Sequence, residues 1–463
     1  MKHTILLTIS LFIFLSTSTS AQNINTAENF PDPNFRAVVE TFMGVEAGGE
    51  FTSEQAAART GTLNCQARMI SDLGGIEYLT GITELWCQRN ALRSLDVSHN
   101  TALECLKCFS SQLTGLDISR NVNLKELICY RNQLIDLDVS QNPALERLEC
   151  HENQLVGLNV SGAASLEVIR CYDNQLTNLD ISGAVSLEEL DCSNNRLTSL
   201  NVSANAALRQ LMCRRNELTS LEISNHKALE YVSCYDNLLS ALDASGATAL
   251  TSLFCSYNSL TELNVSGTTA LTHLSCDENS LTTLDLTGAT SLINLDCNRN
   301  ELIDLDVSDA VSLISLGCFY NQLADLDVSE NVLLESIYCG NNRLTSLDFS
   351  NNRALTTVLC HDNELTSIDV SANIALRKLD CSSNLLTSLD SLAANESLAK
   401  GIVVDVRENL LDCDDWEDVQ TLFDRIGEER FDQNRRLSGG FAYSPQRGVG
   451  LYNCTPVAEW AVY

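Results

Sequence analysis

The sequence predicts a β-rich solenoid of short stacked coils, closed at both ends by small helical caps. Three observations predict it. First, fifteen cysteines stand at a strict 21-residue interval from Cys87 to Cys381, with no insertion between them. A fixed period of this length marks one structural unit repeated along an axis. Second, the stretch around each cysteine alternates as a half-buried strand does, with Leu and Cys inward and the residues between them outward. Third, no segment of the repeat is long enough for an ordinary helix, so both sides of each coil are read as extended. At the ~4.8 Å separation of neighbouring strands, about seventeen coils span roughly 80 Å.

One unit shows the pattern: Leu250, Leu253, Cys255, Asn258, Leu260, Leu263 and Val265 hold its fixed slots. The Asn slot, three residues after Cys, is filled in fourteen of the fifteen copies from Asn90 to Asn384; only Ser111 departs. An amide there can donate and accept to a turning backbone, as a buried turn requires. Leu follows in every copy, from Leu92 to Leu386. One unit alone exposes its apolar face, and stacking its neighbours buries it. This pattern, LxxLxCxxNxLxxLDVS, resembles the bacterial leucine-rich repeat of the 21-residue class, in which Cys takes a Leu position. The resemblance covers roughly residues 60–411. It implies a leucine-rich repeat solenoid with parallel strands on the concave face and short extended segments on the convex face.

In chain order, residues 1–21 read as a secretory signal. Lys2 supplies the positive end, Ile5–Leu15 the apolar run, and small residues lead to Ala21. The run is well short of the ~20 apolar residues a membrane span needs. No second span, lipoprotein cysteine or wall-sorting tail is found, so the chain is expected to be secreted or at the surface or periplasm, without an anchor. Residues 22–62 form the N-terminal cap. Asp32 and Pro33 start a helix carrying Phe35, Val38, Val39 and Phe42, and Thr52 with Gln55 makes a capping box. Phe30, Pro31 and Phe35, followed by the run Leu73 to Leu79, resemble the cap of internalin-like surface proteins. The array occupies 63–411, beginning with an incomplete coil at Cys65. Its period breaks once, where Val406 takes the Cys slot 25 residues after Cys381, with Asn409 and Leu411 back in register. Residues 412–463 form a C-terminal cap: one helix, with Trp416, Val419, Leu422, Phe423 and Ile426 on one face, and a tail.

Sixteen of the 19 cysteines occupy the inward slot, which leaves Cys105, Cys413 and Cys454. One Cys per coil makes a line, whereas a tetrahedral metal site needs converging ligands. The coil spacing also exceeds the Cβ separation a disulfide prefers. Cys is therefore read as a small buried hydrophobe. Cys413 and Cys454 flank the terminal helix and are expected to form a disulfide, since a small cap has little core of its own. Cys105 is read as a free thiol. The slot between Leu and Val carries Asp, Asn or Glu in all fifteen copies, from Asp96 to Asp390. A row of carboxylates one coil apart invites a calcium reading. A solvated face with Asp bonded to the backbone near the following Ser is preferred.

The function classes narrow accordingly. With 61 acidic against 29 basic residues and a net charge of −32, nucleic acid is not an expected partner. No metal, cofactor or enzyme site is expected: strand alternation sends Cys150 and His151 to opposite faces, which defeats a nucleophile–base pair. The aromatic residues point to binding. Trp86, Phe109, Tyr130, Tyr172, Tyr231, Tyr235, Phe254, Tyr257, Phe319, Tyr320 and Tyr338 all lie in or beside the strand, with His151 in the same slot; only Phe349 lies on the other side. They read as three groups on one exposed face, around Trp86, Tyr231 and Phe319. Such a surface is expected to bind a protein partner, as leucine-rich repeats generally do on their strand face. The alternative is a carbohydrate-binding or structural cell-envelope protein.

Overall fold

The computed structural model describes residues 22–399, 401–411, 415–427, 430–431 and 437–442. The signal segment and the Cys413–Cys454 pair lie outside the described residues. Helix α1 (Pro33–Met43) begins where the Asp32 carboxylate accepts from the backbone N–H of Asn34 at 2.9 Å and of Phe35 at 3.1 Å. It stops at Gly44, whose φ of 74° ends the helical turn without a Cβ clash. Phe35 and Val39 are buried beneath it, and Phe30 lies within 6.1 Å of both the Phe35 and the Tyr78 ring. The other oxygen of Asp32 accepts from Ser71 N–H at 2.8 Å, which ties the helix to the first coil. Helix α2 (Ser53–Ala57) opens on the capping box of Thr52 and Gln55.

Each coil of the array then contributes a strand of about three residues, such as Glu126–Ile128 and Arg147–Glu149. Consecutive coils pair in parallel, with Leu127 opposite Leu148 and Leu148 opposite Ile169. From Glu84 to Lys378 the partner is the residue 21 positions on, so the sequence period is the register; the first step is 22 residues and the last 25. The inward slots make one continuous core, in which Leu127, Cys129, Leu134 and Val139 are fully buried. All seventeen described cysteines are free thiols. Burial pushes the ladder thiols up, Cys150 to about 12, so they stay protonated and behave as filler.

Each coil is joined to the one before it by the asparagine after its cysteine. Asn195 Nδ2 donates to the carbonyls of Cys192 at 3.0 Å and Cys171 at 3.1 Å, while its Oδ1 accepts from Leu176 N–H at 3.0 Å. One amide thus pairs three main-chain groups from two coils that would otherwise be buried unpaired. The same set repeats at Asn216 and Asn363. The residue before each such asparagine is left-handed in every coil, from Arg89 at φ 57° to Ser383 at 54°. A non-glycine residue in that conformation costs roughly 1 kcal/mol, and Ser110 adopts it too, at φ 52°, although Ser111 supplies no amide.

The far side of the coil is less extended than the sequence suggests. Only scattered segments pair, such as Asp136–Asp138 with Gly157–Asn159 and Ala241–Asp243 with Glu262–Asn264. The acid slot makes the same local bond in paired and unpaired coils, Asp138 with Ser140 and Asp243 with Ser245 included. Asp96 Oδ1 accepts from Ser98 N–H at 2.9 Å, and Asp327 does the same with Ser329. This turn curls the chain away after a few residues. Bonds from the Ser98 side chain and backbone hold the Asp96 carboxyl below its usual range. A second asparagine column follows, in a slot that the sequence pattern left variable. Asn142 Nδ2 bridges Ile118 O at 3.1 Å and Asn121 O at 2.9 Å, again joining neighbouring coils.

Where the period breaks, the extra residues form α3 (Asp390–Ala394), and Val406 and Asn409 resume the ladder. Helix α4 (Trp416–Ile426) buries Val419, Leu422 and Ile426, and Arg425 donates to the carbonyls of Ala393 and Asn395.

Ser111 interrupts the asparagine ladder, and its hydroxyl is buried without a partner. Restoring the amide with Ser111→Asn is expected to stabilise the array by about 1 kcal/mol, read as a higher urea midpoint. An unchanged or lower midpoint would show that the ladder amides are not stabilising.

Candidate functional site

The strand face presents four outward columns: three and one residues before each Cys, and one and two residues after it. In-register pairing makes each column a row of side chains one strand spacing apart. The column after Cys contains Phe109, Tyr130, His151 and Tyr172 in four consecutive coils, and the structure closes them into one stack. Ring centroids lie 4.4 Å apart for Phe109 and Tyr130, 4.3 Å for Tyr130 and His151, and 4.2 Å for His151 and Tyr172. His151 is buried inside the stack with Nδ1 unpartnered. Burial lowers its pKa, opposed by Glu152 and Glu149, so it is neutral near pH 7.

This regroups the aromatic residues. Trp86 does not join Phe109; its ring lies 5.4 Å from the Lys107 ammonium. His151 and Tyr172 extend the stack instead, and the signal was in the sequence, since 109, 130, 151 and 172 are one period apart. Further along, Tyr231 and Phe254 are 5.6 Å apart and Phe319 and Tyr320 are 5.4 Å apart. Tyr235 carries the Arg214 guanidinium at 5.7 Å. Tyr257 and Tyr320 occupy the left-handed slot, which swings them outward to 57% and 46% exposure. The remaining predicted rings are half-buried between neighbouring side chains, because a column one strand wide packs its members against each other.

Several charged neighbours here pair across coils. Glu126 meets Lys107 at 3.1 Å, Glu189 meets Arg170 at 2.7 Å, and Glu230 meets Arg209 at 2.7 Å. Between the two downstream aromatic groups lies a cleft of about 370 Å³, lined by Phe254, His273, Asp296, Asn298, Phe319 and Tyr338 among others. The column one residue before Cys reads Phe254, Ser275, Asp296, Gly317 and Tyr338 there, with large rings at each end and small residues beside the acid. Composition and periodicity did not single out this cleft, because it arises from missing side chains. A Cβ at Gly317 would lie 2.9 Å from Asn298 Nδ2 and 3.2 Å from Asp296 Oδ1. Asp296 accepts from Asn298 and lies near Asp277, which accepts from Ser256. Burial and the Asp277 charge push the Asp296 carboxyl up to about 6.

Cys150 is inward and fully buried while His151 is outward, so the two do not form a nucleophile–base pair. Cys105 is half-buried, with its Sγ 3.1 Å from Glu126 Oε2, and its pKa is pushed up to about 12 by burial and that carboxylate. Among the described residues no group of three or more His, Cys, Asp or Glu is placed to hold a metal ion. No helix among them is long and apolar enough to cross a membrane.

A carboxyl with a raised pKa binds its proton more tightly in the folded chain than in the unfolded one. Stability therefore falls as pH rises from the unfolded value of 3.8 through about 6. Asp296→Asn is expected to be more stable than the parent at pH 7, by about 1 kcal/mol after solvent screening. The gain should fade below about pH 4, as measured by urea unfolding across pH. A variant less stable than the parent at pH 7 would refute the assignment.

No protein-family model matches the chain. Over 72 residues it is 42% identical to internalin J of Listeria monocytogenes serotype 4b (strain F2365), a match that takes in 16% of this chain and only 8% of that protein. The functional domain of InlJ from Listeria monocytogenes, described as including a cysteine ladder, is 32% identical in sequence. The likeness covers 84% of this chain and 82% of that one, with a TM-score of 0.64. A leucine-rich repeat protein of Leptospira interrogans shares the fold at 20% identity, over 81% of this chain and 97% of its own, with a TM-score of 0.59. YopM from Yersinia enterocolitica does so at 23% identity, over 76% and 82%, with a TM-score of 0.50. With its strict 21-residue period, inward thiol ladder and this overlap with the InlJ domain, the chain belongs to the internalin-J-like family of bacterial leucine-rich repeat proteins.

Proposed function

We propose that this chain is a secreted, non-enzymatic binding protein that engages a protein partner through the aromatic columns of its strand face. The observation that carries this reading is the placement of the rings. The inward slots and the asparagine columns hold the coils together, so the outer strand columns are free of that duty. Aromatic side chains are nevertheless concentrated there, in a four-ring stack and around a cleft. Half-buried rings of this kind supply large contact area at little entropic cost, as binding hot spots do. The acidic composition favours a partner with a basic surface. The signal-like leader supports secretion. A second reading, binding of glycan or a structural role in the cell envelope, draws on Tyr257 and Tyr320, whose exposed faces are open to sugar stacking.

Replacing Tyr231, Tyr235, Phe254 and Tyr257 together by Ala is expected to abolish partner capture from a panel of purified surface and envelope proteins. A variant of the far side, Ile135→Ala with Val156→Ala, should capture normally. Full capture by the four-ring variant would exclude this face. A glycan array run beside it separates the readings: glycan binding lost in the four-ring variant, with no protein capture by the parent, favours the second.

A further inference from the structure

We propose that the cleft between Phe254 and Tyr338 receives a basic side chain, arginine or lysine, from the partner protein, and that this contact sets where the partner docks along the solenoid. The inference rests on the strand-face reading above and adds to it the chemistry of the docking residue. The cleft runs four coil steps, ~19 Å from ring to ring. Its centre is the Asp296 carboxylate, with Asp277 beside it in the neighbouring column. Gly317 and Ser275 put no large side chain on either side of Asp296, and the Asn298 amide lies over Gly317. The acid is therefore reachable from solvent but walled by apolar rings, which suits a long aliphatic stem ending in a cation.

Two observations point to a missing cation. Glu126, Glu189, Glu230 and Glu278 each meet a Lys or Arg of an adjacent coil. Asp277 and Asp296 have no salt-bridge partner among the described residues; Asp191 and Asp380 lack one too, but it is Asp296 that lines the cleft. The hydrogen bonds to Asp277 and Asp296 come from Ser256, Ser275 and Asn298, all to one oxygen of each carboxylate, which leaves Oδ2 of each open. Elsewhere the chain builds the complete arrangement from its own residues. Arg299 lies 4.6 Å from the Tyr320 ring centre and 3.2 Å from Glu278, and Arg131 lies 6.0 Å from the Tyr130 ring centre and 2.7 Å from Glu152. The cleft has carboxylates without a guanidinium, with the Phe319 ring one coil on from Asn298 and the Phe254 and Tyr338 rings two coil steps from Asp296. A cation supplied from outside would sit against a ring and two acids that now repel each other.

The test uses a dye-labelled peptide, acetyl-Gly-Ser-Gly-Arg-Gly-Ser-Gly-amide, and its twin with neutral citrulline in place of arginine. Binding is read by fluorescence anisotropy on the full chain at low ionic strength. The parent is expected to bind the arginine peptide at least tenfold more tightly than the citrulline twin. Asp296→Asn removes the charge and Gly317→Leu fills the space without changing charge; each should reduce arginine binding to the citrulline level. Asp325→Asn, which removes one exposed carboxylate outside the cleft, should behave as the parent. Circular dichroism checks the fold, and Gly317→Val replaces the leucine variant if that one misfolds. Equal binding of the two peptides by the parent would overturn the proposal. So would undiminished arginine binding by a folded Gly317 variant, which would mean diffuse attraction to an acidic surface. Either result, with partner capture still lost in the four-ring variant, would remove the pocket and leave the strand-face reading intact. Arginine selectivity that depends on Asp296 and Gly317 supports the pocket, whatever the outcome of partner capture.

Discussion

The structure depends on one side-chain amide per coil. A 21-residue coil is too thin to hide its own turn, so two carbonyls and an N–H at the end of each strand face the interior. Asn195 and its equivalents pair all three, and they do so across two coils at once. The bond set reinforces the parallel register, which the Ser111 coil keeps without it. The choice of cysteine follows from the bond set: with the amide pulling the turn inward, the neighbouring slot has room for a small apolar side chain and no more. Sixteen such thiols, each buried and held protonated, fill the axis without a disulfide between them.

Because the ladder carries the coupling between coils, the outer strand columns can vary without breaking the fold. That variation is not random in this chain. Four consecutive coils place Phe109, Tyr130, His151 and Tyr172 in one stack, while later coils place Ser275, Asp296 and Gly317 between rings. The first arrangement stiffens a ridge and the second opens a notch. A carboxylate kept half-buried without a counter-charge lowers stability.

Much of the fold was legible in the sequence because it is written fifteen times. The period, the inward Leu and Cys, the Asn slot, and the caps at Asp32 and Thr52 each rest on local chemistry that a sequence displays directly. The second asparagine column escaped because only some coils carry it; Ala163, Ala184 and Ala247 stand in its slot elsewhere. The bond from Ser98 N–H to Asp96 was legible on the far side, but alternation of Leu and Val does not reveal which far-side segments pair. The ring positions were visible but not their partners, since contact depends on which column a residue occupies. The cleft was least visible, for it is defined by the side chain that Gly317 lacks.

The central claim is that the ladder amide couples each coil to its neighbour. Native-state hydrogen exchange on Asn195→Ala tests it most directly. The account predicts that Leu176 N–H, the donor to Asn195, loses protection together with the amides of the two coils that Asn195 joins, while coils near Asn363 keep theirs. Unchanged protection at Leu176, or a loss spread evenly along the whole array, would contradict it.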